Sequence, residues 1–120
     1  MARLVFRHLT GFRANQIDEI HLGANEELIL GRSSAAAIHF DREDGRVGRR
    51  HARISWKGEE STELELEDLK SRNGTYVNGR LITTPVRLSP GDIIQLGAQG
   101  PEVQVQWEVR TTTSKVILIG

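Results

Sequence analysis

The sequence predicts an all-β domain, an antiparallel sandwich or barrel. Apolar side chains recur at every second position in short segments, the spacing of half-buried strands. Gly, Pro and Asn turn signals separate those segments, as at Asn73-Gly74, Asn78-Gly79 and Ser89-Pro90-Gly91. No segment holds a convincing helical period, and the pattern yields about eleven short strands. A chain of 120 residues is one domain of ordinary size, long enough to bury a core.

The first strand runs from Ala2 to His8, with Leu4 and Phe6 on one face and Arg3 and Val5 on the other. Thr10-Gly11 turns the chain. Gln16 to Leu22 alternates, with Ile17, Ile20 and Leu22 as candidate core positions; Ile17 and Ile20 also suit one helix face, but Gly11 and Gly23 bracket a segment that reads better as a strand. Glu27 to Gly31 is a short apolar strand that runs into Arg32. Ala35 to Phe40 is a brief strand with Ile38 and Phe40 apolar, and the acid-rich loop Asp41-Arg42-Glu43-Asp44-Gly45 follows.

Ala52 to Trp56 alternates cleanly, with Ala52, Ile54 and Trp56 together and Arg53 and Ser55 opposite. Lys57-Gly58-Glu59-Glu60 turns the chain into Thr62 to Asp68, where Leu64 and Leu66 face inward between Glu63, Glu65 and Glu67. This is a strand with one solvated acidic face. Arg50 and Arg53 are expected on solvated faces or paired with Glu63 and Glu65. Asn73-Gly74 and Asn78-Gly79 tolerate positive φ and bracket the strand Thr75 to Val77. Arg80 to Ile82, Val86 to Leu88, Ile93 to Gly97 and Val103 to Val109 complete the set; the last aligns Val103, Val105, Trp107 and Val109. Thr111-Thr112-Thr113-Ser114 reads as a linker. The domain is therefore placed at 1–110, with 111–120 a linker or the start of a following segment. The apolar end Val116-Ile117-Leu118-Ile119 is either a last strand or, the preferred reading, a sign that the chain is a fragment of a longer protein.

Three loops carry the chemistry. They are Gly31-Arg32-Ser33, the basic turn Arg46-Val47-Gly48-Arg49-Arg50-His51, and Ser71-Arg72-Asn73-Gly74-Thr75 followed by Asn78-Gly79. Each is an apolar run that meets a Gly, Ser or Asn turn bearing cations, which suits the holding of an anion on a rigid scaffold. In order and spacing, over residues 28 to 97, these loops resemble the forkhead-associated (FHA) domain. The resemblance implies an FHA-type antiparallel β-sandwich (SMAD/FHA-like) that reads phosphothreonine in partner proteins in signalling.

The resemblance also implies the roles. Arg32, after Gly31, contacts the phosphate, with Ser33 beside it. Arg49 supports the phosphate and Asn73 bonds the peptide main chain, with Arg72 adding charge alongside. Arg46 is a candidate reader of an acidic side chain further along the peptide. Gly31, His51, Ser71, Gly74, Asn78 and Gly79 shape the loops; His51 ties them together. The family's usual Ser is replaced by Gly48, whose amide remains as a donor. A hydrogen bond to a charged group contributes about 1.5–3 kcal/mol, so the change weakens phosphate reading by about tenfold or more. It also admits an alternative, a phosphate-independent protein–protein interaction or self-association module. The partner is a phosphothreonine-bearing protein segment, on another chain or on the chain's own Thr111–Thr113 tail.

Composition narrows the other classes. Hydrophobic residues at 38% and charged residues at 27% describe a globular chain. Sixteen basic and 16 acidic side chains cancel, which disfavours nucleic acid as a bulk electrostatic partner. No window is apolar enough for a membrane span. The absence of cysteine excludes disulfides and thiolate metal sites and suits a cytoplasmic setting. Gly31-Arg32-Ser33 lacks the spacing and lysine of a nucleotide-binding loop, and no nucleophile sits with a base. His21 and His39 have no evident partners, and His8 begins a turn. The expectation is a binding module with no catalytic residues, metal or cofactor.

Overall fold

The structure, a computed structural model, describes residues 1–58, 61–110 and 116–119. Among the described residues are twelve strands and no helix: β1 (Ala2–His8), β2 (Ile17–Leu22), β3 (Glu27–Gly31), β4 (Ile38–His39), β5 (Ala52–Trp56), β6 (Leu64–Asp68), β7 (Thr75–Val77), β8 (Arg80–Leu81), β9 (Val86–Arg87), β10 (Ile93–Leu96), β11 (Glu102–Arg110) and β12 (Val116–Leu118). They form two sheets. One runs β2-β1-β11-β10-β7-β8 with β12 also on β11; the other runs β4-β3-β5-β6-β9. The pairings are antiparallel except β3 with β4, which run parallel through Leu30↔Ile38 and Gly31↔His39.

The period of two decides what is buried. Leu4 and Phe6 of β1, Ile94 and Leu96 of β10, and Val103, Val105, Trp107 and Val109 of β11 supply one inner face. Leu28 and Leu30 of β3, Ala52, Ile54 and Trp56 of β5, and Leu64 and Leu66 of β6 supply the other. Both indoles find acceptors on one segment: Trp56 Nε1 donates to the Ser61 carbonyl at 2.9 Å and Trp107 Nε1 to the Thr62 carbonyl at 3.0 Å. Burying a Trp with its N–H satisfied adds apolar area without a polar penalty.

Several local expectations change. Ile17 is not core: it is 63% exposed, because β2 lies at a sheet edge and its register turns Asp18, Ile20 and Leu22 inward instead. The strand expected over Ala35 to Phe40 shrinks to two residues, although Ile38 and Phe40 are both buried. Arg53 pairs with Glu27 and Glu67 rather than Glu63 and Glu65, because β5–β6 pairing sets Arg53 opposite Glu67. Glu63 pairs with Arg87 at 3.3 Å. In the apolar tail, β12 pairs with β11 through Val109↔Ile117. The Thr111–Ser114 linker and the Glu59-Glu60 half of the expected turn lie outside the described residues.

The connection from β6 to β7 crosses from one sheet to the other. It and the β3–β4, β4–β5 and β10–β11 loops bring the basic turn, Arg32 and Asn73 together.

Candidate anion-binding site

The site is built around one close approach. The backbone of the Gly48–Arg50 turn lies against the end of β3, where a Cβ on Gly31 would stand 2.0 Å from the Arg49 carbonyl oxygen and 2.9 Å from that of Gly48. Only glycine leaves room there. The approach lets Arg32 N–H donate to the Gly48 carbonyl at 2.9 Å and Ser33 N–H to the Arg49 carbonyl at 3.1 Å. The Gly-Arg pair is therefore a seam: glycine closes it and arginine emerges from it.

Arg32 is half-buried, and its Nε–H donates to the Val47 carbonyl. That bond uses the inner edge of the guanidinium. Its two terminal nitrogens have no protein acceptor among the described residues and form an unspent fork. Ser33 accepts a bond from Ala35 N–H at 3.2 Å, which leaves its hydroxyl hydrogen unspent too.

His51 is fully buried and joins three segments. Its main chain bridges Leu30 and Leu69, donating to the Leu30 carbonyl and accepting from Leu69 N–H, each at 2.9 Å. Its ring accepts from Gly48 N–H through Nδ1 at 2.9 Å, so Nε2 carries the proton and donates to the Gly74 carbonyl at 2.7 Å. Burial holds the ring's pKa below the ordinary histidine value, against the opposing influence of the Gly74 carbonyl and the Asp68 carboxylate. The arrangement changes the role assigned to Gly48. Its amide, expected to donate to a ligand, is committed to His51. The next two amides, those of Arg49 and Arg50, have no acceptor among the described residues.

Asp68 organises the third loop. Its carboxylate accepts from Ser71 N–H and from the hydroxyls of Ser71 and Thr75, while Ser71 Oγ accepts from Gly74 N–H at 2.9 Å. Burial alone would raise the Asp68 pKa; the bonds from Ser71 and Thr75 outweigh it and hold the carboxyl below the ordinary range. Lys70 and Gly74 take positive φ, +55° and +84°, inside this turn. Its product is a presented Asn73, whose Nδ2 donates to the Arg46 carbonyl at 3.0 Å. Gly97 closes the far side: a Cβ there would stand 3.0 Å from Arg46 Cβ and 3.2 Å from Asn73 Cβ.

Arg46, Arg49, Arg50 and Arg72 are exposed around these loops. Beside Arg46 opens a cleft of about 290 Å³ walled by Glu43, Asp44, Gly100 and Pro101. Asn78 and Gly79 lie elsewhere, as the two positive-φ residues of the β7–β8 hairpin turn, where Asn78 bonds Asp92 and the backbone of Ile93. Sequence reasoning missed Asp68, Gly97 and the Arg49 and Arg50 amides. It also missed a second buried histidine: His8 Nε2 bonds Asp18 at 2.9 Å, and Arg13 grips the same carboxylate with both terminal nitrogens at 2.7 and 2.8 Å. Among the described residues, no group of His, Cys, Asp and Glu is placed to hold a metal ion.

Residues 28–97 match the family model described as the FHA domain. The chain is 31% identical over 81 residues to the FHA domain-containing protein FhaB of Mycobacterium tuberculosis, an overlap covering 68% of this chain and 49% of that relative. It thus spans about half the length of the curated relatives it matches. The FHA domain of the CT664 protein from Chlamydia trachomatis superposes with a TM-score of 0.69 at 31% identity, covering 86% of this chain and 95% of that one. A structure from a structural and functional analysis of phosphothreonine-dependent FHA domain interactions superposes with a TM-score of 0.68 at 30% identity, covering 86% and 94%. The sandwich, the Gly31-Arg32 seam, the basic turn tied through His51 and the presented Asn73 all fall within or beside the matched span, and the chain belongs to the forkhead-associated (FHA) domain family.

Proposed function

We propose that the chain docks phosphothreonine-bearing segments of partner proteins. The observation that carries this reading is Arg32, held by Nε while its two terminal nitrogens stay unspent beside the basic turn. A phosphothreonine brings about −1.5 to −2 charge and three acceptor oxygens, which suits that fork. Arg49 and the amides of Arg49 and Arg50 support the phosphate, and the Ser33 hydroxyl adds a neutral donor. Asn73 keeps Oδ1 for a peptide N–H. Two relatives support the reading: the structure tied to phosphothreonine-dependent interactions, and an FHA domain of FhaA, 29% identical, solved with the intracellular domain of a second protein. The exposed charges make binding salt-sensitive.

The test is a titration with matched phosphorylated and unphosphorylated threonine peptides, read by amide shifts. Shifts at Arg32, Arg49 and Asn73 with the phosphorylated peptide alone are expected. Arg32→Gln removes two charge-assisted hydrogen bonds and is expected to weaken binding by about a hundredfold. Binding that ignores the phosphate, or that survives Arg32→Gln, would refute the reading.

One observation favours a second reading, a phosphate-independent interaction module: Gly48 has neither a hydroxyl nor a spare amide to offer. The two readings separate at this residue. A Cβ on Gly48 would meet nothing nearer than His51 Nδ1 at 3.7 Å, and its φ lies outside the left-handed region, so serine fits without strain. Gly48→Ser is expected to tighten phosphopeptide binding roughly tenfold, one hydrogen bond to a charged group. If only the serine variant bound, the parent would be the phosphate-independent module.

A further inference from the structure

Arg32 is gripped from a second side. Its N–H and Nε face the basic turn and donate to the carbonyls of Gly48 and Val47. Its own carbonyl bonds the His39 ring at 3.1 Å; a carbonyl only accepts, so His39 Nε2 carries the proton. His39 itself is exposed and belongs to no part of the core. Its strand, β4, is two residues long and lies at the edge of its sheet, so pairing with β3 alone anchors it weakly. Two groups from the other sheet supply the rest. Arg13, in the β1–β2 loop, donates through Nη1 to the His39 carbonyl at 2.8 Å. The His8 ring stands edge-on to Phe40, with ring centroids 5.4 Å apart.

Arg13 is itself fixed. Besides its bond to His39, Nε donates to Gln16 at 2.7 Å, and Nη1 and Nη2 donate to Asp18 at 2.7 and 2.8 Å. Burial alone would raise the Asp18 pKa; the bonds from Arg13 and His8 outweigh it and keep the carboxylate charged as an acceptor. A run of polar contacts therefore leads from His8 through Asp18, Arg13 and His39 to the main chain of Arg32, crossing from the seven-stranded to the five-stranded sheet. We infer that His39 is a positioning residue for the Arg32 fork, and that Arg13 holds His39 in place. The His39 ring acts through the Arg32 carbonyl, and Arg13 through the His39 carbonyl. A bidentate grip tolerates displacements of only about 0.5 Å, so a main chain pinned on both sides sets where the fork points. This inference rests on the phosphothreonine reading above and names residues outside the binding loops that set its aim.

The experiment uses the intact domain, matched phosphorylated and unphosphorylated threonine peptides, and three substitutions. His39→Leu removes the ring donor and His39→Gln keeps one. Arg13→Lys keeps a charge on Asp18 but cannot span Asp18 and the His39 carbonyl together. His39→Leu is expected to bind the phosphorylated peptide about fivefold more weakly, the worth of one hydrogen bond. His39→Gln recovers most of that loss, and Arg13→Lys shows a smaller one. The thermal midpoint of His39→Leu stays at the parent's value because the residue is exposed. In Arg32→Gln, where the fork is gone, His39→Leu costs nothing further, which a general structural role would not predict. A second readout needs no ligand: the Arg32 Nε proton, bonded to Val47, exchanges with water faster in His39→Leu. Unchanged affinity in His39→Leu would overturn the inference and leave the phosphothreonine reading intact. A loss that persists in Arg32→Gln would overturn it as well, since His39 would then act other than through Arg32. Equal binding of both peptides by the parent would refute the phosphothreonine reading; the inference would then stand or fall on whether His39→Leu changes the exchange of the Arg32 Nε proton.

Discussion

Gly31→Ala is expected to lower the thermal midpoint by roughly 10 °C and to abolish phosphopeptide binding at concentrations that saturate the parent. The added methyl would stand 2.0 Å from the Arg49 carbonyl oxygen and 2.7 Å from its carbon, so the main chain of the basic turn must move outward by more than an ångström. No flexible side chain is available to give way. Overpacking of this kind costs about 3 kcal/mol, and a domain of this size loses several degrees per kcal/mol. The displacement also strains the bonds from Arg32 and Ser33 N–H to the turn, along with the Arg32 Nε bond to Val47, so the fork loses its aim. The control is Gly45→Ala, whose Cβ would meet nothing within 4 Å on the neighbouring loop. It is expected to change the midpoint by no more than a degree or two. A Gly31→Ala domain as stable as that control would show that the seam is softer than its distances indicate.

The second large effect is on pH. Both buried histidines, His51 and His8, have pKa values held below the ordinary one chiefly by burial. Each therefore binds fewer protons folded than unfolded, and stability rises with pH where the unfolded ring titrates. Their contribution is fully present above about pH 6.5 and is lost as pH falls below it toward the folded values. The slope in that window reaches at most about 1.4 kcal/mol per pH unit per ring. Denaturant unfolding of the unliganded domain at pH 7.5, 6.5 and 5.5 is expected to show this decline; leaving the ligand out avoids the phosphate's own titration near pH 6. The Asp18 and Asp68 carboxyls are held below their ordinary range and contribute in a separate, lower window. For His51 the structure specifies the tautomer: Nε2 protonated and Nδ1 bare, facing the Gly48 N–H. Imidazole nitrogen shifts at pH 7 check it directly. A protonated Nδ1, or stability flat from pH 7.5 to 5.5, would contradict this account.

Where the signal was local, the sequence was readable. Ala52, Ile54 and Trp56, or Val103 through Val109, announce their buried face because a strand's side chains alternate whatever surrounds it. Asn78-Gly79 announces its hairpin because few other pairs accept positive φ twice. The loops were legible as a set because Gly, Arg, His and Asn fall in a recognisable order. What stayed hidden depends on register and on contacts between distant segments. Ile17 is apolar and in phase with nothing, and only the pairing of β2 with β1 shows that it faces solvent. Nothing local tells Arg53 to choose Glu67 over Glu65; the β5–β6 register does. Asp68 looked like the last acid of a solvated face and is the hub of the Asn73 loop, because it ends the strand where the chain crosses between sheets. Gly48 is visible as a missing hydroxyl, but the commitment of its amide to His51 is a property of the folded turn.

That crossing of the chain between sheets has a thermodynamic corollary. Arg32 and the basic turn belong to the β3–β5 sheet, while Gly74 and Gly97 border β7 and β10 of the other, so on the proposed reading the anion's seat exists only once the two sheets have docked. A ligand that binds only the docked form raises folding stability by RT ln(1 + [L]/Kd), about 2.7 kcal/mol at a hundredfold excess over Kd. Docking and recognition are one cooperative event. The isolated loop peptides will not retain a fraction of the affinity, and a core substitution that merely loosens sheet contact will be read in a binding assay as a weaker ligand.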